Sequence, residues 1–113
     1  MHILKSTLTL IAVPALLVLA PAAPALANCY EDIGCTNNHY IKKSELMPLS
    51  CQNLWYVRNQ IFNEKGYCFK TAAAIAQFDN SDCTIADQAD IPLNKYETKN
   101  ISRIKSAEAA KGC

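Results

Sequence analysis

Six cysteines constrain the fold of this 113-residue chain more than any other feature of its sequence. They are Cys29, Cys35, Cys51, Cys68, Cys83 and Cys113. Small exported domains carry many disulfides because their hydrophobic cores are too small to stabilise them alone. The alternative is a zinc site, but zinc is held by closely spaced ligand pairs, and these cysteines form no Cys-x2-Cys pair. The sequence therefore predicts three disulfides and no metal site.

Residues 1–27 are predicted to be a signal peptide. Lys5 precedes an apolar run from Thr7 to Ala20, and Ala25-Leu26-Ala27 has small residues where signal peptidase cleaves. The run is shorter than the roughly 20 residues that span a membrane. The alternative is a lipoprotein with a lipid on the first cysteine, which would leave an odd number of cysteines. We therefore expect a periplasmic or secreted domain at residues 28–113, with no stable insertion into the membrane.

The charge balance argues against two classes of partner. The chain has 11 basic and 10 acidic residues, and the two kinds balance once Lys5 is removed. Binding to nucleic acid depends on a basic face that neutralises phosphates, and docking to anionic lipid needs an excess of basic residues. We therefore expect no nucleic-acid partner.

Three helices are predicted, over residues 51–65, 72–78 and 94–111. At the start of each helix stands a residue whose side chain can accept a backbone N–H, namely Ser50, Thr71 and Asn94. Glu97 completes a capping box with Asn94. Gly66 and Gly112 end the first and third helices. The apolar residues expected to be buried are Leu54, Val57, Ile61, Ile75, Phe78, Ile101 and Ile104. The segments 28–36 and 83–91 are expected to be irregular.

The helix ends rank the possible disulfide pairings, although sequence alone does not determine the connectivity. Cys29 and Cys35 would close a short loop. A Cys68–Cys83 bond would hold the corner between the first two helices. Cys51 and Cys113 remain, and antiparallel packing of the first and third helices would bring them together. The fold class predicted is a small all-α domain of three helices held by three disulfides.

The central and C-terminal stretches contain the runs Leu54-Trp55-x-x-Arg58-Asn59-x-Ile61-Phe62, Gly66-Tyr67-x-Phe69, and Leu93-Asn94-x-x-Glu97-x-x-Asn100-Ile101-x-x-Ile104-x-x-x-Glu108. With these runs the chain resembles the YARHG domain, a bacterial and mostly extracytoplasmic module. The motif that names the family, Tyr-Ala-Arg-His-Gly, is here Phe62-Asn63-Glu64-Lys65-Gly66. The resemblance therefore implies a fold and an exported location, and it implies no activity.

Arg58, Asn59, Glu97 and Glu108 are the polar residues expected to form a structural cluster. A half-buried arginine needs an acceptor, which Glu97 or Glu108 on the facing helix would supply. We expect Asn59 to bind free backbone groups near Gly66. A surface recognition role for the same group is the alternative.

A contact patch is predicted at Tyr56, Asn63, Glu64 and Lys65. Trp55 and Tyr56 are adjacent in a helix and are not expected to face inward together, so one of them is expected at the surface. If that residue is Tyr56, it marks the contact patch. Most aromatic residues near the first helix are expected to belong to the core, and a platform on which a ligand stacks is the alternative.

Few residues are suited to catalysis, and we expect no catalytic, cofactor-binding or metal-binding residue. His39 has no nucleophile placed beside it, and oxidised cysteines offer no thiolate. The carboxylate pairs Asp79/Asp82 and Asp87/Asp90 lie in turn-like segments, where acidic residues are common. The sequence favours a non-enzymatic binding or structural protein whose partner is a component of the cell envelope or another protein. A small hydrolase of cell-wall material and a secreted effector or inhibitor are the alternatives.

Overall fold

The computed structural model describes residues 27–113, and the predicted signal peptide, apart from Ala27, lies outside the described residues. Residues 27–113 form a two-stranded hairpin followed by four α-helices and one 3-10 turn. The elements are β1 (Cys29–Tyr30), β2 (Gly34–Cys35), α1 (Lys43–Leu46), α2 (Cys51–Glu64), α3 (Ala72–Phe78), the 3-10 turn Gln88–Asp90 and α4 (Lys95–Lys111). The three predicted helices correspond to α2, α3 and α4, so the fold is mainly helical, as predicted, with two further small elements.

The hairpin corrects the expectation of an irregular loop over residues 28–36. Its strands are antiparallel, with Cys29 opposite Cys35 and Tyr30 opposite Gly34. Gly34 has a φ of +74°, and a Cβ there would lie 2.8 Å from the His39 ring. The turn therefore requires glycine, and the pattern was missed because two-residue strands are too short to show alternation.

The helix α1 is the second element that the sequence did not predict. It is one turn long, and Leu46 is its only buried residue. The backbone N–H of Lys42 donates to Glu45 Oε2 at 2.8 Å, which satisfies a free amide at the start of the helix. A helix with one buried residue has no apolar period, and for that reason the prediction failed.

The helices α2 and α4 pack against each other and form the main body of the domain. Cys51, at the start of α2, is bonded to Cys113, just beyond the end of α4. The two helices are therefore antiparallel, as predicted. The capping residues were also predicted correctly: Ser50, Thr71 and Asn94 each accept an N–H of the first turn, at 3.1, 3.3 and 2.8 Å.

Polar side chains of α4 attach the segment 36–41 to the body of the domain. Asn100 is fully buried, and its Nδ2 donates to the carbonyl oxygens of Thr36 and His39, both at 2.9 Å. Its Oδ1 accepts the N–H of Ile41, also at 2.9 Å. Arg103 donates to the carbonyl oxygen of Ile41 at 2.8 Å. The backbone of this segment is therefore held by side chains where regular secondary structure is lacking.

The segment after α3 returns to the end of α2. Its backbone pairs with residues 66–68, through Thr84 N to Gly66 O at 2.8 Å and Cys68 N to Ile85 O at 2.8 Å. The Cys68–Cys83 disulfide closes the same corner. The expectation that residues 83–91 are irregular is therefore wrong at two places. Thr84 and Ile85 pair with the backbone of residues 66–68, and Gln88–Asp90 form the 3-10 turn.

The core lies between α2, α4 and the shorter elements. Its apolar members are Ile33, Ile41, Leu46, Leu54, Val57, Ile61, Phe62, Tyr67, Phe69, Ala74, Phe78, Ile91, Ile101, Ile104 and Ala107. One predicted core residue is wrong. Ile75 is 42% exposed, because Ala74 and Phe78, four residues apart, form the buried side of α3.

Candidate binding surface

Arg58 and Glu108 join α2 to α4 by a bidentate ion pair. Arg58 Nε donates to Glu108 Oε1 at 2.7 Å, and a terminal nitrogen donates to Oε2 at 3.1 Å. The two side chains are 20% and 16% exposed, so the pair is largely shielded from water. Of the two predicted acceptors, Glu108 is the one that Arg58 uses. The contact holds two helices together, and it offers no free charge to a partner.

Glu97 pairs with Lys65 instead. Lys65 Nζ lies 3.1 Å from Glu97 Oε1, and the glutamate side chain has no exposed surface. The same oxygen accepts the backbone N–H of Asn94 at 3.0 Å, which completes the predicted capping box. Within residues 27–113, Glu97 Oε2 has no hydrogen-bond partner. Lys65 therefore belongs to the scaffold, because an unpaired buried carboxylate would be costly.

The residues of the predicted contact patch differ in their partners and in their exposure. Lys65 contacts Glu97, as described, and Tyr56 is half-buried. Asn63 and Glu64 both bind Gln60: Asn63 Nδ2 donates to its Oε1 at 3.3 Å, and its Nε2 donates to Glu64 Oε1 at 2.9 Å. Glu64 is exposed, and Tyr56, Asn63 and Lys65 are half-buried.

Asn59 also has a different role from the one expected. Its Nδ2 donates to the carbonyl oxygen of Trp55, one turn earlier in α2, at 2.8 Å. Its bond therefore stays within the helix, and the backbone near Gly66 is satisfied by Thr84 and Ile85. The reason is the helix geometry, which places a side chain over the preceding turn.

Phe78 lets both Trp55 and Tyr56 pack on the domain. Its ring centroid is 5.7 Å from that of Trp55 and 5.4 Å from that of Tyr56. Both neighbours are half-buried, so each keeps part of its side chain at the surface. On the opposite side, Phe78 stacks on Phe69 at 5.0 Å. A single ring from α3 therefore covers two adjacent residues of α2.

A recess of about 270 Å³ lies between the hairpin and α2. Its lining residues are Tyr30, Asp32, Ile33, Leu49, Asn53, Tyr56 and Val57. The rings of Tyr30 and Tyr56 meet edge to face, with centroids 6.5 Å apart. Apolar walls with a few polar groups at the rim are typical of sites that bind small ligands or side chains. We call this space the hairpin recess.

Tyr30 is the most perturbed side chain of the hairpin recess. Its hydroxyl is buried and has no hydrogen-bond partner among the described residues. Burial raises the pKa of Tyr30 to about 12, and the nearby Tyr56 and Glu64 contribute to the rise. The hydroxyl is therefore shielded from water, and the ring of Tyr30 is the part that contributes to the wall of the recess.

The carboxylate pairs considered for hydrolysis differ in their surroundings. Asp79 and Asp82 line one recess of about 210 Å³. Asp79 accepts hydrogen bonds from the backbone N–H and the hydroxyl of Ser81, both at 3.0 Å. Asp87 caps the 3-10 turn by accepting the N–H of Ala89 at 3.0 Å. Asp79 and Asp87 therefore stabilise turns, as aspartates often do.

Two further observations limit the kinds of site in the described part of the chain. Residues 27–113 contain no group of three His, Cys, Asp or Glu side chains placed to hold a metal ion. Over the same residues, no helix combines the length and the apolar character needed to cross a membrane. All six cysteines are in disulfides, which join Cys29 to Cys35, Cys51 to Cys113 and Cys68 to Cys83.

A protein-family model matches most of the described residues. The model of the YARHG domain matches residues 30–109. The chain belongs to the YARHG domain family. This domain occurs in exported proteins, in agreement with the three disulfides. No curated protein and no solved structure matches the chain.

The structure explains how a YARHG domain keeps its fold with an altered motif. Phe62 is buried against Tyr67, with ring centroids 6.0 Å apart. Gly66 has a φ of +85°, and a Cβ there would meet Thr84 Oγ1 at 3.0 Å. Lys65, where the motif has histidine, supplies the cation for Glu97. The aromatic ring, the cation and the glycine therefore have structural roles.

Asn100 is the residue of this YARHG domain that the sequence reasoning did not single out. It makes three hydrogen bonds and has no exposed surface. A signal was present, because residues 97, 100, 104 and 107 follow each other at helical spacing and all four are buried. A polar residue within that stripe predicts a buried side chain with fixed partners.

Proposed function

We propose that this YARHG domain is a non-enzymatic binding module of the cell envelope, periplasmic or secreted. Its hairpin recess would receive an apolar or aromatic group of an envelope component or of another protein. The observation that supports this proposal is the recess itself, in which Tyr30, Ile33 and Tyr56 surround a volume of about 270 Å³. A phenyl or indole ring fits a space of this size and can pack against the rings of Tyr30 and Tyr56.

The disulfides support a rigid recess. The Cys29–Cys35 bond closes the hairpin that forms one wall, and the Cys51–Cys113 bond fixes the start of α2, which forms the other. A preformed site loses little conformational entropy when a ligand binds.

Titration with phenol, followed by amide NMR shifts, tests the recess. We expect shifts at Ile33, Leu49 and Val57 that saturate with phenol concentration. Asn53 is exposed at the rim, so Asn53→Trp should fill the recess and abolish them. Gln52→Trp, at the neighbouring exposed position outside the recess, is the matched control and should leave them unchanged. Shifts spread over the whole domain, or shifts equal in the two variants, would contradict the proposal.

A photo-reactive phenylalanine analogue tests whether a partner occupies the recess in cells. Placed at Asn53 in the exported protein, it should form one discrete adduct, and placed at Gln52 it should form none. Identification of the adduct by mass spectrometry distinguishes a protein from a glycan. Equal labelling at both positions would contradict a recess-specific partner.

A second candidate function, a small hydrolase of cell-wall material, rests on Asp79 and Asp82 in one recess. Release of soluble fragments from purified cell-wall material, lost in Asp82→Asn, would favour it. Equal release by the wild type, by Asp82→Asn and by a buffer blank would exclude it. Because Asp79 already binds Ser81 through both oxygens, we expect the exclusion.

A further inference from the structure

The outer face of α4 carries cations without neighbouring acids. Lys95, Lys99 and Lys105 are exposed along it. The helix contains two acidic residues, Glu97 and Glu108, and each is paired with a cation from the α2 side. The balanced charge of the chain therefore hides an uneven distribution, which the sequence reasoning did not detect.

A groove of about 790 Å³ runs along the first half of this face. Its chemically distinctive lining residues are Tyr40, Lys95, Thr98, Lys99, Ser102 and Arg103. We call it the α4 groove. It combines cations and hydroxyl groups with one aromatic ring, and none of its lining residues is acidic. It shares no residue with the hairpin recess.

Tyr40 is held in place although it is 47% exposed. Its ring centroid lies 4.8 Å from that of Tyr96, and the Arg103 guanidinium lies 6.0 Å from the ring. Arg103 is in turn fixed by its hydrogen bond to the carbonyl oxygen of Ile41. An exposed ring with fixed neighbours is a rigid surface on which a flat or ring-shaped group can stack.

We propose that the α4 groove binds an anionic polysaccharide built from uronic acids. Lys95 and Lys99 are one helical turn apart, so their ammonium groups can meet carboxylates of successive sugars. Thr98 and Ser102 offer hydroxyl groups to sugar hydroxyls, and a sugar ring can stack on Tyr40. Charge complementarity therefore supplies attraction, while the hydroxyl groups and the ring supply selectivity for a sugar.

Two other polyanions fit the groove less well. An anionic membrane would need apolar side chains to insert beside the cations. Among residues 27–113 the exposed large hydrophobic side chains are Tyr40 and Ile75, and Ile75 lies on α3. A nucleic acid demands many cations over a wide surface, and the lining of the groove offers three, Lys95, Lys99 and Arg103.

Calorimetric titration at low salt with sodium polygalacturonate, a linear polymer of uronic acids, tests the proposal, and neutral dextran serves as the blank. We expect Lys95→Gln/Lys99→Gln to weaken polygalacturonate binding about tenfold, because two exposed charge contacts are removed. Lys43→Gln/Lys70→Gln removes the same charge from exposed positions outside the groove and should change binding less than about twofold. Absence of binding by the wild type, or equal weakening in the two double variants, would overturn the proposal.

Tyr40→Ala separates sugar recognition from attraction to any polyanion. We expect it to weaken binding of polygalacturonate and to leave the smaller affinity for phosphatidylglycerol vesicles and duplex DNA unchanged. If vesicles or DNA bind the wild type as tightly as polygalacturonate does, the glycan assignment is overturned. Circular dichroism of each variant verifies its fold. Since the hairpin recess is not involved, failure of this test leaves the proposed function unaffected, and the converse also holds.

Discussion

Replacement of Asn100 by leucine should strongly destabilise the domain. The two side chains are similar in size, so the change removes hydrogen bonds and leaves the packing volume nearly constant. Three backbone groups lose their partner: the N–H of Ile41 and the carbonyl oxygens of Thr36 and His39. Ile41 and Thr36 have no exposed surface, so water cannot easily replace the amide.

The magnitude follows from the cost of an unsatisfied buried group. Each such group costs about 1–3 kcal/mol, and the added apolar surface of leucine returns about 1 kcal/mol. We therefore expect the free energy of unfolding to fall by about 2–8 kcal/mol, a large share of the roughly 5–15 kcal/mol typical of a domain. Denaturation by guanidinium chloride, with all disulfides intact, measures the change.

Two controls make the result specific. Ser106→Ala changes an exposed position of α4 and should alter stability by less than about 0.5 kcal/mol. Asn100→Asp keeps the acceptor for Ile41 N–H but loses both donors. Because burial raises a carboxyl pKa, this variant should regain part of its stability near pH 4, where the protonated carboxyl can donate again.

Hydrogen exchange locates the effect. In Asn100→Leu the amides of residues 36–41 should exchange faster relative to those of α2, since their attachment to α4 is lost. A loss of stability below about 1 kcal/mol, or exchange that increases equally in all elements, would refute the role assigned to Asn100.

Three further predictions concern other contacts. Arg58→Ala should lower the free energy of unfolding by about 2–3 kcal/mol because it strands a largely shielded Glu108, whereas Arg58→Met/Glu108→Leu should recover most of the loss; equal melting temperatures for wild type and Arg58→Ala would refute this. Tyr30→Phe should not reduce stability, because the lost hydroxyl has no partner among the described residues. Since burial raises the pKa of Tyr30 from 10.0 to about 12, the folded state favours the neutral phenol. This pH-linked stabilisation is complete below pH 10 and is lost as pH rises through 12. A brief alkaline absorbance titration should show one tyrosine that ionises late, and Tyr30→Phe should remove it. Cys51→Ser/Cys113→Ser should cost about 4 kcal/mol, given a sequence separation of 62, and denaturation measures it; a cost below about 1 kcal/mol would contradict the chain-entropy reasoning.

The parts of the fold that follow from local chemistry could be predicted from the sequence. Helix caps such as Ser50 and Asn94 act within one turn, so the residues concerned are neighbours in the chain. Amphipathic stripes mark α2 and α4 because both helices bury one side. The positive φ of Gly66 and Gly112 follows from their position after a helix.

The parts that depend on distant contacts could not be predicted. Whether Arg58 pairs with Glu97 or Glu108 depends on the alignment of α2 with α4, which no local pattern records. The exposure of Ile75 depends on where Phe78 packs. The α4 groove requires Tyr40 to lie beside Arg103, and these residues are distant in sequence. Of the residues that line the hairpin recess, the sequence therefore predicted a contact role for Tyr56 alone. The tertiary structure brings the other lining residues together around it.

Three links between α2 and α4 restrict sliding of one helix along the other. Cys51–Cys113, Arg58–Glu108 and Lys65–Glu97 occur at intervals of about two helical turns along α2. A slip of one turn, about 5.4 Å, would break all three at once. Apolar stripes alone tolerate such slips, because leucine and isoleucine pack acceptably against many neighbours. The covalent bond and the two ion pairs thus select one alignment, and the hairpin recess and the α4 groove inherit their geometry from it.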